Sequence, residues 1–213
     1  MLTAIADGAS PPALADLLFA AETDRAYADG GHSLDFINTA FECLDLVGWE
    51  HATEILPSVV GQMVAARGAE ERTAWRQPVD LIALCEEPAV ELPELFATVG
   101  ESTDWSGHVG LSQSLLADDP VAIIDAVKTA AREGASPADV GRALSYAAAL
   151  RVARFGTANE HSDWETAHHV FTYTNAVHQA LKRVGGDRDR SDRPIEAVRG
   201  LCTEQWRSTS LGT

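Results

Sequence analysis

Residues 118–156, DDPVAIIDAVKTAAREGASPADVGRALSYAAALRVARFG, contain two complete helix signatures in succession. Asp119 is placed to accept hydrogen bonds from the first free amides of a helix. Pro120 fits the first helical position, where no backbone donor is needed, and Gly134 lies just past the end. Ser136, Pro137 and Asp139 repeat the pattern, and Gly156 closes the second segment. The spacing therefore predicts helices over Pro120–Glu133 and Pro137–Phe155, joined by a short turn.

The same signals extend outward from this pair. In SLDFINTAFECLDLVG, Ser33 reads as an N-cap and Gly48 as a stop, with Leu34, Ile37, Phe41 and Leu44 at helical spacing between them. Glu50–Ala66 reads as a helical stretch that Pro57 breaks near Leu56, because the proline ring lacks an N–H and clashes with the preceding turn. Asp163–Val184 reads as the longest helix. From Gln77 to Gly110 the chain carries Pro78, Pro88, Pro93, Gly100 and Gly107, and it reads as an irregular connecting region with short helical turns. No run alternates apolar and polar residues with enough β-branched content to make a strand. The expected fold is all-α: a single multi-helix bundle over residues 1–184, followed by a polar linker at Gly185–Pro194 and a mobile C-terminal tail to residue 213.

Composition narrows the function classes. The 213 residues include 32 acidic and 16 basic side chains, a balance that repels phosphate backbones and anionic membrane surfaces. Nucleic acid and membrane are not expected partners. The charge is uneven: residues up to Pro120 hold 21 acidic and 4 basic groups, and the remainder 11 and 12. No apolar run spans a bilayer and no basic segment precedes an apolar one at the N-terminus, so a cytoplasmic protein is expected. Cys43, Cys85 and Cys202 are far apart and unpaired in pattern, consistent with reduced thiols. Nucleotide-binding glycine loops, a G-x-S-x-G elbow and an H-E-x-x-H motif are all missing.

The chemistry that remains is carried by imidazole. NEHSDWETAHHVFTYTNAVHQAL, residues 159–181, holds four of the seven histidines. On a helix His161, Glu165 and His168 share a face, and Glu165-x-x-His168 is the spacing by which carboxylate bundles present two ligands to one ion. The facing half of such a site would be His51 and Glu54, in WEHATEIL, with His169 also in reach of the ion. Without thiolate, the expected metals are iron, manganese or zinc. His51, flanked by Glu50 and Glu54, also suits a general base. Two plainer readings stand beside these. Ser162 and Glu165 fit a capping box that would leave His161 outside the helix, with Val170, Tyr173, Val177 and Leu181 as an apolar stripe and His168 and Asn175 as a separate polar one. Arg151 and Arg154 could clamp an anion, or complement a helix C-terminus.

GHSLDFINTAFECLDLVGWEHATEILPSVV and SYAAALRVARFGTANEHSDWETAHHVFTYTNAVHQALKR together resemble the histidine-rich helical region of poorly characterised bacterial proteins, some described as Rieske-type iron–sulfur proteins. The resemblance implies redox or oxygenase chemistry, with His51, His161, His168, His169 and His178 as the matching positions and His51, His168 and His178 as catalytic candidates. It does not extend to a cluster: none of the three cysteines has a histidine at Cys-x-His or Cys-x-x-His spacing, so no iron–sulfur centre is expected. The functional expectation is a metal-dependent oxidoreductase acting on a small organic molecule, working as a homo-oligomer or with a redox partner. The alternatives are a metal-free acid–base enzyme and a non-catalytic acidic partner protein.

Overall fold

The computed structural model describes residues 1–68, 71, 76–99 and 104–184. Among these there are nine α-helices and no strand: α1 (Leu2–Ala6), α2 (Pro11–Glu22), α3 (His32–Val47), α4 (Ala52–Ala65), α5 (Leu81–Val99), α6 (His108–Ser114), α7 (Pro120–Arg132), α8 (Pro137–Arg154) and α9 (His161–Val184). The expectations for the linker 185–194, the tail to 213 and Cys202 lie outside the described residues.

The signatures of the opening stretch form as read. Asp119 accepts from the Val121 and Ala122 amides, and Ser136 and Asp139 make a reciprocal capping box at the start of α8. Gly134, with φ at +94°, closes α7. α8 and α9 then fold back as an antiparallel hairpin: Gly141 meets His178 and Leu181, the Ser145 hydroxyl donates to the Thr174 carbonyl, and Phe155 packs edge-on against Trp164 at the closed end. The predicted stripe Val170, Tyr173, Val177 and Leu181 is buried throughout. α6 lies on the outer side of α8, where the Ser112 hydroxyl donates to the Ala143 carbonyl, and α7 joins α5 through Lys128 and Arg132 on Glu91.

Four local expectations change. α3 starts at His32 with Gly31 before it, and Ser33 is a buried second residue whose hydroxyl makes no cap. Leu34, Ile37, Phe41 and Leu44 nevertheless form the core face as spaced. α4 runs through Pro57 without a break; the donor that Pro57 lacks would have bonded the Thr53 carbonyl, and Thr53 is exposed, which leaves that carbonyl to solvent rather than to the core. Within the connecting region, 19 residues form α5, with Pro88 and Pro93 inside it. Asp80 receives the Ala83 amide at its start, and Leu81, Cys85, Ala89 and Leu92 are buried at spacings of four, four and three. α2 was not anticipated, although Ser10 followed by two prolines repeats the Ser136–Pro137 signal; it buries Leu14, Ala15, Leu18 and Phe19. Each fully buried large aliphatic or aromatic side chain contributes about 1.5–3 kcal/mol, so α2 and α5 are integral to the core.

Candidate functional site

The residues singled out in the sequence fall into separate groups. His51 ends a short 3-10 turn (Trp49–His51), with Nδ1 3.5 Å from Glu54 Oε2; their side chains are 46% and 77% exposed, so they make a surface pair one turn apart. His161 lies inside α9, because Glu160 takes the N-cap position and its amide is received by the Asp163 carboxylate at 3.1 Å. That corrects the expected start at Asp163 and the placement of His161 outside the helix. The Ser162 side chain of the expected capping box lies outside the described set. His161 Nδ1 is 3.9 Å from Glu165 Oε1, with both side chains well exposed. His168 is exposed with its ring against Trp164. His178 is half-buried beside Gly141, and burial, Lys182 and Arg142 together hold its pKa below the usual imidazole value. Among the described residues no three His, Cys, Asp or Glu side chains form a set able to hold a metal ion.

His169 is the exception, because the fold gives it partners that sequence proximity does not suggest. Its ring stands edge-on to that of His32, with centroids 4.4 Å apart. One turn further along both helices, Asp35 shares a hydrogen bond with the Thr172 hydroxyl, which lies 3.3 Å from the His169 carbonyl. At the far end Asp45 pairs with Arg183. These three pairings run in the same order on both helices, so α3 and α9 are parallel neighbours. Asn38 and Glu42 fill the polar row on α3 between them, the Asn38 amide donating to Glu42 at 2.9 Å.

The turn before α3 orients His32. Tyr27 and Asp29 adopt left-handed backbone conformations, with φ of +50° and +52°, and Gly30 and Gly31 follow at +65° and +90°. A side chain at Gly31 would place its Cβ 2.9 Å from the rings of both Tyr27 and Tyr173, so only glycine allows this approach. The Asp29 carbonyl thereby comes to 2.8 Å from His32 Nδ1. A carbonyl only accepts, so Nδ1 carries the proton and the neutral ring keeps its lone pair on Nε2. The turn is in turn tied to the end of α4: Arg25 donates to the Ala66 carbonyl, and the Asp29 amide to the Arg67 carbonyl.

Electrostatics separate the two kinds of group. Burial, aided by the nearby Glu42, raises the Asp35 pKa above the usual aspartate value, against the lowering influence of His32, Thr172 and His169. The Thr172 hydroxyl lies between the Asp35 carboxyl and the His169 carbonyl, and its donation to Asp35 favours the ionised carboxylate against the effect of burial. The corner thus presents an imidazole with a defined free nitrogen near a carboxyl whose pKa burial raises. No family model, no curated protein and no solved structure matches the chain. Sequence reading passed over His32, Asp35 and Thr172; the available signal was GGHSLD, where two glycines precede a histidine with an aspartate three residues on.

Proposed function

We propose that the chain is an acid–base enzyme acting on a small organic molecule at the α3–α9 corner. The observation that carries this reading is the pairing of His32, whose free nitrogen is set by the Asp29 carbonyl, with Asp35, whose pKa is raised by burial. His32 Nε2 withdraws a proton from the substrate, and Asp35 supplies one to the group that gains electron density, with Thr172 reorienting between donor and acceptor. His169 holds the His32 ring from its edge and limits its rotation. The formal net charge of −16 favours neutral or weakly acidic substrates over polyanions.

The test is solvent exchange. Purified protein incubated in D2O with a panel of small carbonyl compounds should speed deuterium uptake at an acidic C–H bond, followed by proton NMR. His32→Gln and Asp35→Asn should each lower the rate by about 10²–10⁴-fold. Wild-type-like exchange in the double variant would sink the proposal. A metal-dependent oxidoreductase is the second reading, but among the described residues no three ligands converge, so iron, manganese or zinc would need a further ligand from outside them. Elemental analysis tests it: a stoichiometric metal lost from both His32→Ala and His169→Ala would replace the metal-free mechanism, and would bring with it the need for a redox partner.

A further inference from the structure

The last residue of α2, Glu22, is only 4% exposed, and its Oε2 is buried without a hydrogen-bond partner. A carboxylate so placed is stable only as the neutral acid unless a cation faces it. Arg25 is the cation at hand, but its guanidinium is engaged with the Ala66 carbonyl at the end of α4. Asp29, on the same turn, adds a like charge. The other ionisable groups around this turn are the Arg67–Glu71 ion pair just past α4, whose Glu71 also interacts with Arg25, and His32 beside Asp29 on α3, with Asp35 and His169 beyond it; the Ala66 and Arg67 carbonyls receive Arg25 and the Asp29 amide. Glu22 therefore sits at the root of the turn whose left-handed residues aim the Asp29 carbonyl at His32.

We propose that Glu22 is a pH-sensitive latch for the 23–31 turn: the neutral acid seats the turn against α2 and α4, and ionisation loosens it and frees His32. Its effect on catalysis rests on the acid–base reading above, whereas the latch itself does not. Burial is the main cause of a pKa raised from 4.5 to about 8, which Arg25 opposes and Asp29 reinforces. Because the folded value lies above the unfolded one, the favourable contribution is complete below about pH 4.5. It declines as pH rises and is gone once pH passes about 8.

Thermal unfolding of the full chain and of Glu22→Gln, measured from pH 4.5 to 9, reads this directly. The two melting temperatures should agree at the acid end. The variant should then gain on the wild type by several degrees, with the gap level above about pH 8; other ionisable groups are common to both proteins and cancel. In parallel, the His32 ring signals of the wild type should shift with a midpoint near pH 8, and those of the variant should not. A gap that does not change with pH, or the same shift in both proteins, overturns the latch. Should Glu22→Gln fail to fold, the carboxyl carbon-13 signal of Glu22 in the wild type decides: titration near 8 supports the latch and titration near 4.5 overturns it. Neither readout depends on turnover, so failure of the latch and failure of the proposed reaction are separable.

Discussion

α9 is shared by two seams of opposite character. Toward α8 it runs antiparallel and close, with Gly141, Ala147 and Ala148 facing a stripe that includes Ala176, Val177, Ala180 and Leu181, nearly all excluded from water. Toward α3 it runs parallel and polar, with imidazole on imidazole, Asp35 on Thr172 and Asp45 on Arg183. The first seam derives its stability from apolar burial, which needs no particular orientation of any one group. The second holds groups that water would also satisfy, so it adds little stability and fixes orientation instead. One helix can therefore anchor a site on its polar side because its other side is secured independently.

The comparison is broken most directly on the α8 side. Leu144, 1% exposed in the core face of α8, should cost about 2–5 kcal/mol when changed to Ala, read as a lower urea midpoint. Gly141→Ala should cost about 1–3 kcal/mol, since the new Cβ would lie 2.9 Å from Leu181 Cδ1 and 3.1 Å from the His178 Cα. If both variants keep wild-type stability, the antiparallel seam is not the anchor described.

A smaller loss with a local signature sharpens the contrast on the α3 side. Gly31→Ala forces a side chain into a left-handed position already occupied by the Tyr27 and Tyr173 rings, at about 1–3 kcal/mol. Nitrogen-15 spectra should show His32 losing its single Nδ1–H tautomer. An unchanged ring spectrum would mean that the turn does not orient it.

The smallest effect belongs to the far end of the polar seam. Hydrogen bonding from Arg183 is the main reason why the Asp45 carboxyl lies below the usual aspartate value. A lowered folded value gives stability that is present above the ordinary aspartate pKa and is lost as pH falls through the folded one. The Asp45 side chain is 45% exposed, so solvent screening leaves the pair worth about 0–1 kcal/mol. Asp45→Asn should thus reduce stability slightly at neutral pH and not at pH 2, by calorimetry. A loss of several kcal/mol would show that the parallel seam is an anchor after all.

The readable features were those fixed by neighbours a few residues apart. Asp119, Pro120 and Gly134, then Ser136, Pro137 and Asp139, satisfy or terminate backbone hydrogen bonds locally, so α7 and α8 could be placed from spacing alone. The apolar stripe of α9 followed from periodicity in the same way. Prolines at 88 and 93 concealed α5, because their local penalty is visible in the sequence while the burial of Leu81, Cys85 and Leu92 that offsets it is not. For His169 the sequence suggests partners at His51 and Glu54, which the fold leaves as a surface pair, whereas its ring meets that of His32. His32 and His169 are separated by most of the chain, and only the packing of α3 beside α9 brings their rings together. Backbone capping acts over one helical turn, whereas the position of a proton between two helices depends on how their buried faces pair, and that pairing exists only in the folded chain.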